Sequence, residues 1–119
     1  FHWTGFYRNA APDLLIIGPY QGTHGCLRIP FSIGVCGLAA RTETTQRVDN
    51  VHTFLGHIAC SSETLSEIVI PVMTPDQRLL AVLDVDSNVA SAFDDIDQHH
   101  LERLCAHLGA QFASMVSTP

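Results

Sequence analysis

The sequence predicts an α+β domain, an antiparallel β-sheet with helices packed on one side. Three observations predict it. Short apolar segments bounded by Gly, Pro, Asn and Asp recur through most of the chain, the pattern of strands between turns. Two of them, Glu67 to Met73 and Leu79 to Val85, are joined by Thr74-Pro75-Asp76-Gln77, a hairpin turn. The final stretch instead carries apolar residues at helical steps. At 119 residues with 46% hydrophobic content, the chain is long enough for one domain with its own core.

Residues 2–8 are aromatic and loosely alternating, which reads as a strand. A turn containing Pro12 and Asp13 leads to Leu14-Leu15-Ile16-Ile17, a second strand expected to close at Gly18-Pro19. The breaker-rich Gln21 to Gly25 follows, and Cys26-Leu27-Arg28-Ile29 resumes a strand before Pro30. Ser32 is the expected N-cap of a short helix through Gly34 to Ala40. Cys36 then falls in the first turn, where free N–H groups favour a thiolate. A small buried residue in a tight helix fits the same position.

Gln46-Arg47-Val48 suggests a short strand, and residues 49–65 read as a long loop, usually functional when present in a compact domain. Asp94 is the expected N-cap of a helix reaching about Val116. Its apolar face is Leu101, Leu104, Cys105, Leu108, Phe112 and Met115, and Cys105 there is a packing residue.

Six basic against twelve acidic residues give a net charge of −6 with no basic stripe, which argues against a nucleic-acid partner. No apolar run approaches the ~18–20 residues of a membrane span, so no membrane association is expected. No signal-peptide pattern opens the chain. Four cysteines with ample apolar content suit a cytoplasmic protein with transient disulfides better than a secreted disulfide framework. No C-x2-C or H-x3-H pair has ligand spacing, so no metal is expected.

The chemistry-bearing stretch is Gly56-His57-Ile58-Ala59-Cys60, followed by Ser66-Glu67-Ile68-Val69-Ile70-Pro71. A thiol in a glycine-hinged loop suits reactivity better than packing. Cys60 is therefore read as a redox-active nucleophile, with Cys36 the alternative. Asp84 and Asp86 lie two apart and share one face of their strand. That face is either solvated or lines a pocket with Glu67. A pocket would let the carboxylates hold an ammonium, or let crowding raise one of their pKa values for proton donation. Trp3 is either a packing residue or an apolar wall of the site.

Trp3-x-Gly5-Phe6-Tyr7, Gly18-Pro19-Tyr20-Gln21-Gly22, Cys26-x-Arg28-Ile29-Pro30 and Gly34-Val35-Cys36-Gly37-x-Ala39-Ala40 form an ordered series. It continues with Gly56 to Cys60, Ser66 to Pro71, Leu83-Asp84-Val85-Asp86-Ser87 and Phe93-Asp94-x-x-Asp97. The series resembles the free methionine-(R)-sulfoxide reductases, a GAF-domain family, over nearly all of the chain. The spacing Cys26-x9-Cys36-x23-Cys60 is the specific part. The family usually has an aspartate directly after the third cysteine, where this chain has Ser61.

The resemblance implies that residues 1–119 are one GAF domain lacking the family's N-terminal helix. It implies Cys60 as nucleophile, Cys26 as first resolving thiol and Cys36 as a second recycling thiol. Cys60 would become a sulfenic acid, a disulfide would follow, and thioredoxin would be the external reductant with no bound cofactor. Trp3, Glu67, Asp84 and Asp86 would bind free methionine-(R)-sulfoxide. The unpartnered apolar face of the last helix is expected to be covered by a preceding helix, by a second subunit of a homodimer, or by both. The competing classes are a GAF module that senses a small ligand and a cysteine-based redox sensor.

Overall fold

The computed structural model describes residues 2–23, 25–54, 56 and 63–116, the last four by backbone alone. The chain forms β1 (Trp3–Ala11), β2 (Leu14–Gly22), β3 (Arg28–Pro30), α1 (Gly34–Thr42), β4 (Gln46–Val48), β5 (Ser66–Met73), β6 (Leu79–Ser87) and α2 (Asp95–Val116). A single 3-10 turn, Val51–Thr53, interrupts the long connection after β4. The six strands pair antiparallel in the order β3-β2-β1-β6-β5-β4. The expected α+β architecture is the one observed.

The placement of both helices on one side is not. Successive residues of a strand point to opposite faces, and β5 is apolar on both. Val69 packs with Trp3, Tyr7, Val82 and the α1 residues Val35, Cys36, Ala39 and Ala40. Ile68, Ile70 and Val72 pack instead with Leu83, Val85 and, from α2, Cys105. A sheet apolar on both faces needs cover on both, and α1 and α2 supply it from opposite sides.

β1 and β2 turn tightly at Pro12-Asp13, with Ala11 paired to Leu14 and Asp13 at φ 57°, a conformation aspartate tolerates. β2 does not close at Gly18-Pro19 but runs on to Gly22. The β1 register shifts opposite these two residues, between Gly5 and Tyr7, and β3 pairs only with Leu14, Leu15 and Ile16. Proline is tolerated in a strand at such a bulge or free edge.

Ser32 is not the cap of α1. The capping position is Ile33, with no side-chain hydrogen bond. Gly34 takes φ 74°, open to glycine at little cost, and its N–H donates to the Gly56 carbonyl at 3.0 Å. A backbone carbonyl from the long connection, rather than a side chain, thus satisfies an orphan donor at the helix start. α2 begins as expected behind Asp94, whose Oδ1 accepts from the Asp97 N–H at 2.9 Å. Asp97 Oδ2 accepts from the Asp94 N–H at 3.0 Å, a reciprocal capping box. The buried side of α2 carries Cys105 and Gly109, with Leu101 and Leu108 half-buried beside them. Leu104 and Phe112 lie off that side, 46% and 50% exposed, and the Met115 side chain lies outside the described residues. Among the described residues, no helix is long and apolar enough to cross a membrane.

Candidate active site

Register alone assembles the acids. β1 and β6 pair Trp3 with Asp86 and Gly5 with Asp84, while β5 and β6 pair Glu67 with Asp86 and Val69 with Asp84. Strand alternation then sets Trp3, Gly5, Tyr7, Glu67, Asp84 and Asp86 on one face. This is the face that α1 covers. The solvated alternative for the aspartates fails, because Asp84 is 4% exposed and the half-buried Asp86 has its Oδ1 shut off from solvent.

α1 lowers Cys36 onto these acids, its thiol donating to Glu67 Oε2 across 3.9 Å. Single ligand atoms of Cys36, Glu67 and Asp84 lie within 4.8 Å of one another. Asp84 Oδ1 and Asp86 Oδ1 are buried with no hydrogen-bond partner among the described residues.

Burial above all, then the charges of Glu67 and Asp86, push the Asp84 carboxyl well above its usual range. Burial and then the Glu67 charge push Asp86 up to about 8, against a downward pull from His2. A carboxyl in that condition carries a proton near neutral pH and can donate it. Burial and the charges of Asp84, Glu67 and Asp86 also raise the Cys36 thiol well above its ordinary value. This runs against the expectation that the helix start makes Cys36 a thiolate: burial first, and then its acidic neighbours, outweigh the helix dipole. Tyr7 is held as a neutral phenol, first by burial and then by the charge of Cys36 and the carboxylates.

The aromatic wall is built beside the acids. Trp3 stacks on Tyr7 at 5.7 Å between ring centroids and on Tyr20 at 5.6 Å. Its indole N–H donates to the Thr23 carbonyl at 3.0 Å, so its ring has one orientation. A Cβ on Gly5 would stand 2.7 Å from Trp3 Cη2, and one on Gly25 3.1 Å from the Tyr7 hydroxyl. Both glycines make room for the stack.

The cysteines divide. Cys26, packed against the same cluster as Trp3, Tyr7 and Cys36, is disulfide-bonded. Cys36 and Cys105 are free and buried, and Cys105 sits on the other face of the sheet as expected of a packing residue. Cys60, His57 and Ser61 lie outside the described residues. His2 and Thr64 carried no motif that would have marked them. His2 Nε2 and Thr64 Oγ1 share a hydrogen bond, and the His2 amide donates to the Asp86 carbonyl at 3.1 Å.

A family model described as the GAF domain matches residues 4–112. The structure of a free methionine-R-sulfoxide reductase from Neisseria meningitidis, in complex with its substrate, superposes with a TM-score of 0.89 at 42% identity. It is matched over 94% of this chain and 67% of its own. The chain belongs to the free methionine-R-sulfoxide reductase family of GAF domains. Family members in Saccharomyces cerevisiae and Escherichia coli are 46% and 45% identical, over 87% and 90% of this chain. The chain spans 58% of the length of the first relative and 64% of the second. In this chain Trp3, Tyr7, Glu67 and Asp84 are buried on the face of the sheet that α1 covers.

Proposed function

We propose that this domain reduces free methionine-R-sulfoxide to methionine with a cysteine nucleophile and is restored through an intramolecular disulfide. The carrying observation is the convergence of Glu67, Asp84 and Asp86 beside Trp3 on one buried face. Among the described residues no Lys or Arg pairs with these acids. Buried carboxylates in that position need a cation or a proton, and a free amino acid brings an ammonium. Relatives at 45–46% identity that are named for this activity support the substrate.

In this scheme the Cys60 thiolate attacks the substrate sulfur while an acid of the cluster protonates the sulfoxide oxygen. The transient bond between the two sulfurs and the S–O bond then break as the hydroxyl passes to the Cys60 sulfur, so that methionine leaves and Cys60 is left as a sulfenic acid. Asp86, its proton held up to about pH 8, suits the donor role, and Glu67 and Asp84 hold the ammonium, whose charge replaces the proton that burial keeps on Asp84. Trp3 offers its ring to the S-methyl group. The Cys26 thiol then attacks the Cys60 sulfur, forming a disulfide and releasing water. Two electrons from thioredoxin restore both thiols.

The disulfide state of Cys26 fits a resolving thiol, and the free thiols of Cys36 and Cys105 set them apart from it. The anionic surroundings of Cys36 count against it as the attacking thiolate and leave it the recycling role. A cytoplasmic setting fits a thiol that must return to the reduced state. A homodimer remains part of the proposal, supported by the exposure of Leu104 and Phe112. A phosphate-bearing ligand would meet three carboxylates, which disfavours a nucleotide-sensing role.

The test is methionine release from the separate R and S epimers of free methionine sulfoxide with thioredoxin present. Turnover of the R epimer alone is expected. Release from neither, as a substrate-free redox sensor would give, overturns the proposal.

A further inference from the structure

Cys36, Glu67 and Asp84 present a thiol sulfur and two carboxylate oxygens within 4.8 Å of one another, all three residues buried. They come from α1, β5 and β6, so no local spacing in the sequence reveals them as a set. Tetrahedral zinc at ~2.3 Å from sulfur and ~2.0 Å from oxygen sets its S···O edges at roughly 3.5 Å. The Cys36 Sγ to Glu67 Oε2 separation of 3.9 Å closes to that edge with a small side-chain movement.

A second observation points to a ligand here. Asp84, 4% exposed, keeps Oδ1 without a hydrogen-bond partner among the described residues, and so does Asp86. Buried oxygens of this kind carry a desolvation cost until a donor or a cation meets them. Among the described residues, the ion pairs of the domain are elsewhere, Arg47 with Asp95 and Arg78 with Asp76.

We propose that Cys36, Glu67 and Asp84 form a binding site for a thiophilic divalent cation of the Zn2+ class. Asp86, paired across β5 and β6 with Glu67, stands beside it as a fourth ligand. The sulfur selects Zn2+ or Cd2+ over Mg2+ and Ca2+, which prefer all-oxygen sites. Binding expels the protons held by Cys36 and Asp84, so affinity rises with pH. Among the described residues, the other titratable groups beside the site are Glu67, Asp86, Tyr7, His2 and, in the reduced protein, Cys26. The cation takes the position that the proposed function gives to the substrate ammonium, and this one consequence rests on that reading. The two exclude each other.

The test uses the reduced protein with Cys26→Ser and Cys60→Ser, which leaves Cys36 and Cys105 as the thiols of residues 1–119. Cd2+ titration should produce one equivalent of sulfur-to-metal charge-transfer absorption. The band should survive Cys105→Ala, vanish in Cys36→Ala, and weaken at least about tenfold in apparent affinity in Glu67→Gln. Circular dichroism of each variant separates lost ligation from lost folding. Zn2+ should displace the Cd2+, and Mg2+ should not. Absence of the band, or its persistence in Cys36→Ala, overturns the site. With the Cys26 and Cys60 thiols intact, free methionine-R-sulfoxide should raise the apparent Kd for Zn2+, read with a chromophoric chelator. A band that obeys these variants in a protein that reduces no methionine sulfoxide supports the cation site and overturns the reductase reading alone.

Discussion

His2 Nε2 and Thr64 Oγ1, 62 positions apart in sequence, share a hydrogen bond of 2.9 Å. It ties the start of β1 to the segment that enters β5, so one end of the acid cluster is held from both strands. The charge of His2 also draws the Asp86 pKa down. His2→Ala should therefore cost about 1 kcal/mol of stability and move the Asp86 ionisation above about 8. His2→Gln, which can still bond Thr64, should recover the stability but not the ionisation. Urea unfolding and the pH dependence of kcat/KM read the two effects separately. Equal pH profiles in both variants and the parent would remove His2 from the chemistry.

Stability should fall as the solution becomes more alkaline. Asp86 titrates near its ordinary value of 3.8 when unfolded and near about 8 when folded. Between those values the folded state holds a proton that the unfolded state lacks, so the slope of unfolding free energy against pH is negative. The contribution is complete below about pH 4 and is lost as pH rises through about 8. Asp84, raised in the same direction, adds to it. Asp86→Asn should flatten the decline in urea midpoint across this window. A parent protein whose midpoint stays level there contradicts the burial argument.

Nucleophile and resolving thiol fail differently when replaced. Cys60→Ser should release no methionine even in a single turnover. Cys26→Ser should release about one per subunit, accumulate a sulfenic acid trappable by dimedone, and lose thioredoxin cycling. Cys36→Ser should keep the burst. Cys105→Ser should keep full activity but lose about 1–3 kcal/mol of stability, since its hydroxyl would be buried among Ile68, Ile70, Leu83 and Phe93. A burst that survives in Cys60→Ser and disappears in Cys36→Ser would move the attack to α1.

Substrate choice tests the carboxylates. N-acetyl methionine-R-sulfoxide has no ammonium to meet Glu67, Asp84 and Asp86 at their buried face. Its kcat/KM should fall at least about a hundredfold, the scale of losing a paired, buried charge. Comparable turnover of the two substrates would take the acids out of ammonium binding.

Most of the succession of elements along the chain was legible, and two hairpins with it, because Thr74 to Gln77 and Pro12-Asp13 are strong turn signals. Gly18-Pro19 misled as a stop, since a proline at a bulged, free-edged position leaves no ladder bond unmade. The face of the acids was illegible for a different reason. β5 is buried on both sides, Ser66 to Ile70 without interruption, so its period-two contrast is absent. The same cause hid the separation of the helices. α1 buries Gly34, Val35, Cys36, Gly37, Ala39 and Ala40, almost all round, and offers no stripe to orient it. On α2 the apolar steps were visible, but Leu104 and Phe112 fall just outside the strip that meets the sheet. The pairing of His2 with Thr64 depends on two strands meeting, and neither residue announces it.

The two-sided sheet makes this domain sensitive to the parity of residue numbers. In β5 the odd positions Glu67 and Val69 serve the polar cluster, and the even ones Ile68, Ile70 and Val72 hold α2. Inserting or deleting one residue within that strand would exchange the two sets, driving a carboxylate into the hydrocarbon under α2 and aliphatic chains into the acid site. Inserting two would restore the assignment. An odd change of length within the stretch Glu67 to Val72 must therefore be absorbed by a bulge, like the shift between Val72 and Met73, or by the turn at Thr74 to Gln77.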